Sequence, residues 1–398
     1  MMSPMTAPVA ELPSASIGPH PAFRLPVTPA GRLHHQIRLQ WPVTRPELAE
    51  STGLSQPTVA RGVKALIEAG LIAERPDLIN GRGGGRPRVP LAPTEPPWLH
   101  VGAHLGLKTT RLAIFDTVGR VLRETELPLE LDDLDAAEAL DHVIAGIHRL
   151  RTGLVRPLRT AGVALAGHVA ADGTVTSRSY GWERFPLVNA LSDGLGIPAL
   201  AAPHVAAMAA SELGVTPLAG PAASGVPAGL YFYARELIGV AWTVDGGVHR
   251  PAHGDGTIGH LPVGGSDLLQ GDTLQEALGG SGVLAAARAG GVDVADLGEL
   301  VAVAAHDPFA RAVLDERARL LGEAVATVAD VVDPAHVVLA GSAFTDDAPG
   351  LRIAARTIAR RSPVRRDIRL SRARGNITRD AARAVALDPL HSDPLSLA

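Results

Sequence analysis

Over residues 29–79 apolar and polar positions recur with the period of short amphipathic helices. Four apolar residues at i, i+4, i+7 and i+8 predict one buried stripe on a helix over residues 56–69. These residues are Val59, Val63, Leu66 and Ile67. From residue 99 onward, short apolar runs alternate with Ala- and Leu-rich helical stretches, a pattern typical of α/β folds.

A second, shorter helix is predicted just before this one. Thr44 and Glu47 have the spacing of a capping box, which indicates a helix over residues 45–51. Gly53 permits a tight turn, and Ser55 is suited to cap the helix that follows. The pattern therefore predicts a helix-turn-helix, although an ordinary helical hairpin is the alternative.

The side chains that lie away from the buried stripe are of the kind that a recognition helix offers to base edges and phosphates. We expect the helix-turn-helix to contact DNA through Arg45, Ser55, Gln56, Thr58, Arg61 and Lys64.

A basic, glycine-rich loop follows the helices. Leu71 and Ile72 resume as a strand, and residues 80–88 then contain four glycines with Arg82, Arg86 and Arg88. A strand pair with such a tip is typical of a wing, whose guanidinium groups can enter a narrow minor groove. The alternative is a solvated linker.

Charge is unevenly distributed along the chain. The net charge is −4, but residues 29–91 hold nine Arg and Lys against five Asp and Glu, so this segment is +4 and the remainder −8. A basic module on an acidic body suits an anionic polymer that meets one end only, here a double-stranded DNA operator.

Composition also sets the domain boundaries. Residues 1–28 are rich in Pro, Ala and Ser and predict a disordered tail, followed by a winged helix-turn-helix over 29–91. We interpret residues 92–98 as a linker and 99–390 as the α/β domain. No apolar stretch is long enough to cross a bilayer, so we expect a soluble cytoplasmic protein with no membrane partner.

The α/β part carries landmarks whose order resembles the ROK family, which contains repressors, uncharacterised reading frames and sugar kinases. They include the strand–turn–strand run over 101–121, Gly162–Gly167, Ile258–His260 and Asp333–Gly341. The resemblance extends from Pro29 to about Leu387. It implies an N-terminal winged helix-turn-helix joined to a two-lobed, actin-like, sugar-kinase-like α/β domain with a sugar cleft between the lobes.

The chain departs from the family's kinase motifs. The Asp-x-Gly-Gly-Thr phosphate loop is replaced by residues 104–109, which begin with His104, and the Gly-Thr-Gly loop aligns with residues 235–237. His204 stands where the kinases have their catalytic Asp. Because phosphoryl transfer depends on these positions, we expect no catalysis and no cofactor.

The family's zinc site is also altered. It uses one His and three Cys, but the chain has no cysteine, and residues 266–274 replace the Cys-rich loop. We therefore expect no structural zinc and interpret the remaining His260 as a hydrogen-bonded core histidine. A different metal site built from His253, His260 and Asp267 is the alternative.

Positions that match the family's sugar contacts are partly polar. By resemblance, an effector would meet His204, Thr257, His260 and Glu276. A vestigial cleft without a ligand is the alternative. The resemblance further implies a homodimer or higher homo-oligomer in which two DNA-binding modules contact two operator half-sites.

Residues 352–374 hold nine arginines and one acid, Asp367. We interpret this segment as a solvated helix face; a second nucleic-acid or subunit contact is the alternative.

For the whole chain, we expect a DNA-binding transcription regulator with a sugar-sensing domain. The rival hypotheses are a bifunctional sugar kinase that binds DNA and a regulator with no small-molecule effector.

Overall fold

Local capping signals start the three helices at the N-terminus. Thr28 accepts a hydrogen bond from the backbone N–H of Gly31, and Pro29 occupies the first helical turn. The computed structural model of the chain describes residues 17–79, 88–96, 98–218, 226–373 and 376–397. The N-terminal module contains, in chain order, α1 (Pro29–Gln40), α2 (Arg45–Thr52), α3 (Gln56–Glu68), β1 (Ile72–Glu74) and β2 (Leu91–Pro93).

The first α/β lobe follows directly. Its elements are β3 (Leu99–Leu105), β4 (Thr110–Phe115), β5 (Val121–Leu127), α4 (Ala136–Arg151), β6 (Leu158–Leu165), β7 (His168–Val169), β8 (Val175–Ser177), β9 (Trp182–Phe185), α5 (Leu187–Leu195) and β10 (Ala199–Pro203). The strand order of the main sheet is β10-β6-β3-β4-β5. β3, β4 and β5 are antiparallel neighbours, whereas β6 and β10 run parallel to β3.

The second lobe repeats this topology. Its elements are α6 (His204–Leu213), β11 (Gly229–Ala234), β12 (Ile238–Val244), β13 (Gly247–Val248), α7 (Leu274–Leu278), α8 (Gly280–Ala289), α9 (Leu297–Val303), α10 (Pro308–Val332), β14 (His336–Ala340), α11 (Ser342–Thr345), α12 (Ala348–Arg361), β15 (Asp367–Leu370) and α13 (Ile377–Ser392). The sheet order is β13-β12-β11-β14-β15, with an antiparallel meander followed by two parallel strands. The two α/β lobes that the resemblance implies are therefore present.

The C-terminal helix α13 returns to the first lobe and packs on its sheet at very short range. A Cβ added at Gly162 would lie 2.2 Å from the backbone nitrogen of Ala386, and one at Gly102 would lie 2.7 Å from the carbonyl of Ala382. The Thr160 hydroxyl donates to the Ala386 carbonyl at 2.7 Å. Because glycine has no Cβ, the sheet and helix can approach this closely.

The N-terminal module shares a hydrophobic core with the end of α13. Buried side chains of α1, α2 and α3 pack with Phe115, Leu387 and Leu390. Strand β2 reaches Pro93, so the module extends into the segment that composition indicates as a linker over 92–98.

Among the residues described, none of the helices has the length and apolar content that crossing a membrane requires.

Residues 17–28 differ from the disordered tail expected over 1–28. Phe23 and Leu25 are buried, and the Asp388 carboxylate accepts hydrogen bonds from the backbone N–H groups of Ala22 (2.6 Å) and Phe23 (2.8 Å). The tail prediction is wrong for this segment, because Phe23 and the amide groups find partners on α13 and Leu25 packs with Leu213 and Leu218. Residues 1–16 lie outside the described part of the chain.

Candidate nucleic-acid interface and ligand cleft

The helix-turn-helix forms as the sequence predicts. The capping box of Thr44 and Glu47 is present, and Gly53 adopts a left-handed conformation with φ 65° at the turn. Ser55 caps α3 and accepts a hydrogen bond from the Thr58 backbone N–H. These local interactions fix the angle at which α3 leaves the turn.

One face of α3 packs into the core and the other is exposed. Of the predicted stripe, Val59, Val63 and Leu66 are fully buried, and Ile67 is partly buried against the same cluster. The exposed face presents Ser55, Gln56, Arg61 and Lys64, with Thr58 partly buried beside them. The predicted recognition residues of α3 therefore lie together.

The cations around α3 differ in how they are engaged. Arg45 forms an ion pair with Glu74 at 2.6 Å, and Lys64 lies 3.7 Å from Glu68. Arg61 contacts only the Thr58 hydroxyl, at 3.5 Å, and pairs with no carboxylate of the described residues. The first turn of α3 contains no acidic residue, so no carboxylate there opposes the positive end of the helix dipole or repels a phosphate.

The two strands at the base of the predicted wing are present. β1 and β2 are antiparallel, with Ile72 opposite Pro93, and Arg88 is exposed just before β2. The tip, with Arg82 and Arg86, lies outside the described residues.

Two buried histidines lie side by side. His104 lies near the end of β3, and His204 is the first residue of α6. Their rings stack, with centroids 5.8 Å apart and planes 10° from parallel. The Tyr233 ring lies 6.1 Å from that of His204. The Nε2 atoms of both histidines are buried without a hydrogen-bond partner among the described residues.

Both imidazoles are held neutral. Burial, assisted by the neighbouring His204, lowers the pKa of His104 to about 3. Burial lowers the pKa of His204 to about 4, although the Asp255 carboxylate acts in the opposite direction. This cluster thus offers neutral hydrogen-bonding groups at positions where the family resemblance implies two carboxylates.

The other predicted effector residues are arranged differently. Thr257 is partly buried and donates from its hydroxyl to Asp255 at 2.6 Å. Glu276 is exposed, and its carboxylate caps α7 by accepting from the N–H groups of Asp272 and Thr273. Its carboxylate is therefore engaged by its own helix.

His260 is exposed, so its interpretation as a core histidine is wrong. It lies on a surface turn that is closed by a hydrogen bond from the Leu261 backbone N–H to the Ile258 carbonyl at 3.0 Å. Within the described ranges, no three His, Asp or Glu side chains are grouped closely enough to hold a metal ion.

The arginine-rich segment covers α12, β15 and their connection. Arg352, Arg356 and Arg360 are exposed along α12, as expected for a solvated helix face. Arg366 differs, because it pairs with Asp330 at 2.8 Å and Asp333 at 3.1 Å. Arg374 lies outside the described residues.

No sequence pattern indicates α1 or His104 as parts of a site. Arg32 of α1 donates to the carbonyl of Thr52 at 2.5 Å and so ties α1 to the end of α2. These partners are distant in sequence, and no local pattern indicates them.

Comparisons with known proteins define the class. The profile of the ROK family matches residues 100–375, and a winged helix-turn-helix DNA-binding profile matches residues 42–73. A transcriptional regulator of Mycobacterium bovis is 36% identical over 397 residues, which span 94% of this chain and 88% of that protein. The chain belongs to the ROK family and carries a winged helix-turn-helix at its N-terminus.

Solved structures agree on the fold. A ROK family transcriptional regulator described as a homolog of the E. coli MLC protein superposes with a TM-score of 0.72 at 21% identity, covering 92% of this chain and 98% of that one. A ROK family glucokinase from Streptomyces griseus, in complex with glucose and AMPPNP, gives a TM-score of 0.60 at 18% identity, covering 72% of this chain and 98% of that one. At these identities the likeness concerns the fold alone.

Proposed function

We propose that this ROK family protein is a DNA-binding transcription regulator that uses α3 and the β1–β2 wing to bind a double-stranded DNA operator. The observation that carries the proposal is the exposed face of α3, where Gln56 and Arg61 stand beside a helix N-terminus without acidic residues. Such side chains contact base edges in the major groove, and the helix N-terminus binds backbone phosphate. The name of the Mycobacterium bovis relative supports the same function.

Contacts divide by position within this module. Gln56, Thr58 and Arg61 would approach base edges, while Ser55 and Lys64 would contact the backbone. Arg82, Arg86 and Arg88 belong to the wing and would approach the minor groove or its phosphates. Arg45 would contribute least, since its charge is already paired with Glu74.

The experiment is selection of genomic DNA by the full-length purified protein, followed by sequencing of the retained fragments. A recurring motif with two half-sites separated by a whole number of helical turns, each about 34–36 Å, supports the proposal and its homodimer. Retention that is uniform across the genome would contradict it.

We further propose that the α/β domain senses a sugar-like ligand and does not phosphorylate it. Support comes from His104 and His204, whose buried Nε2 atoms lack partners among the described residues and can bond to hydroxyl groups. The effector contacts would then be His204 and Thr257, with His104 and Tyr233 beside them, whereas His260 and Glu276 would contribute only from the surface.

A thermal-shift screen with a panel of neutral sugars tests this proposal. A ligand at 100 times its dissociation constant stabilises the folded state by about 2.7 kcal/mol, and His204→Ala should abolish that shift. The exposed His253→Ala variant is the matched control. A shift that persists in His204→Ala, or none with any sugar, would contradict the sensing role.

A further inference from the structure

A cavity lies away from the histidine pair, where the N-terminal segment, α1, α6 and α13 meet. Its volume is about 60 Å³. A buried water needs roughly 10–15 Å³ by this measure, so the cavity has room for about four to six atoms of water size. This is the size of a compact oxyanion.

The charged side chains that line the cavity are mainly cationic: Arg24, Arg38, Arg383 and Asp388. Arg38 of α1 donates to the Gly214 carbonyl at 2.6 Å, but its Nε is buried without a partner among the described residues. Burial and the nearby charge of Arg383 lower the pKa of Arg38 to about 10. Two guanidinium groups thus repel each other across the cavity, and an anion between them would relieve that repulsion.

The aspartate does not serve as their counter-ion. Asp388 accepts hydrogen bonds from the N–H groups of Ala22 and Phe23, and the Ser392 hydroxyl lies 3.4 Å from it. No arginine lies within ion-pair distance of this carboxylate in the described part of the chain. Burial also raises the pKa of Asp388 to about 6.

Arg383 and the histidines His35 and His391 also line the cavity. Arg383 contacts Asp380 through one nitrogen at 3.2 Å. His35 is bonded to the Thr216 carbonyl, and His391 has a buried Nε2 without a partner among the described residues. Burial and the charge of Arg38 lower the pKa of His391, so it is a neutral group.

We propose that this cavity binds a compact oxyanion, either inorganic phosphate or the phosphoryl group of a small metabolite, between Arg38 and Arg383. Arginine is suited to this task because its planar donors match the oxygens of a phosphate. The ligand would connect the DNA-binding module to the C-terminal helix of the kinase-like domain.

The position of Arg38 gives the site a route to the recognition helix; this part of the proposal rests on the proposed DNA-binding function. A Cβ on Gly62 of α3 would lie 2.5 Å from the Leu33 side chain of α1, so the two helices touch closely. Arg32 ties α1 to α2 as well. An anion that holds Arg38 against α13 therefore biases the orientation of α3 and changes operator affinity.

The test measures binding of inorganic phosphate and of glycerol 3-phosphate to the full-length protein by calorimetry, with sodium chloride at matched ionic strength. Arg383→Gln and Arg38→Gln remove the proposed contacts. Arg360→Gln is the control, because Arg360 is exposed on α12 and does not line the cavity. We expect saturable binding that Arg383→Gln weakens at least 10-fold and Arg360→Gln leaves unchanged. Tighter binding of one of the two probes identifies free phosphate or a phosphorylated metabolite as the source.

No phosphate binding beyond the chloride effect, or equal binding by Arg383→Gln and Arg360→Gln, would overturn the anion site. Operator affinity is then measured with and without the tighter probe at constant ionic strength. An unchanged affinity would overturn the coupling and leave the site intact. Because the calorimetry contains no DNA, failure of the proposed DNA-binding function is recognised separately, as absence of operator binding by every variant.

Discussion

The imidazole rings of His104 and His204 stack with their centroids 5.8 Å apart. One side chain comes from the end of β3 and the other from the start of α6, so the pair joins two segments about 100 residues apart in sequence. By resemblance, kinases of the family have an aspartate at each position. Two buried neutral rings can stack, whereas two buried carboxylates would repel each other.

This pair predicts a loss of stability in acid. The folded pKa of His204, about 4, lies below its unfolded value, so its contribution is complete above pH 6.5 and is lost as the pH falls toward 4. Between pH 7 and pH 5 the free energy of unfolding should fall by about 2 kcal/mol for this residue. Urea denaturation of His204→Asn should show a correspondingly smaller decrease.

The exposed His253→Asn variant is the control for this measurement and should retain the decrease of the unaltered protein. If His204→Asn loses as much stability on acidification as His253→Asn does, the folded protein does not hold His204 neutral.

The N-terminal segment should loosen when Asp388 is replaced. Asp388→Ala leaves the buried N–H group of Phe23 without its acceptor, which costs about 1–3 kcal/mol, and it also removes the acceptor of the part-buried Ala22 N–H. Limited trypsin digestion should then cleave faster after the exposed Arg24. Asp293→Ala, at an exposed position, should digest at the original rate, and equal rates for both variants would show that Asp388 does not anchor the segment.

How much the sequence predicts depends on the range of the interaction. The helix-turn-helix follows from Thr44, Glu47, Gly53 and Ser55, which act within a few residues of their partners. The N-terminal segment is missed because the acceptor for Phe23 is Asp388, 365 residues further along the chain. No local pattern carries that contact.

Burial of individual site residues is also beyond local patterns. His260 and His204 have the same side chain, yet one is exposed on a turn and the other is buried at the start of α6. The two lobes are implied by the family resemblance, whereas the repeated strand order of their sheets follows from no local pattern.

The protein should not phosphorylate sugars. His204 is a neutral, buried ring and cannot act as the carboxylate base that the kinases of the family use, according to the resemblance. Incubation with ATP and a panel of hexoses, analysed by mass spectrometry, should yield no sugar phosphate. Turnover that is present in the unaltered protein and absent in His204→Ala would contradict this expectation.

The wing and the recognition helix should divide affinity from specificity. Arg61→Ala or Gln56→Ala should relax preference at particular operator positions, since each good base contact discriminates by about 1–3 kcal/mol. Arg86→Ala and Arg88→Ala should weaken binding to most sequences and reduce the salt dependence by about one unit per lost phosphate contact. Binding titrations on single-base variants at several salt concentrations measure both effects; equal losses on every sequence would refute the division.

The most direct test of the central claim is the ratio of operator affinity to random-DNA affinity for the full-length protein, measured by titration at physiological salt on a fragment recovered by genomic selection. A transcription regulator with this module should bind its operator about 10³–10⁷ times more tightly than random DNA. Arg61→Ala should reduce that ratio, while Arg360→Ala, on the far α12 helix, should leave it unchanged. A ratio near one for the unaltered protein would contradict the account.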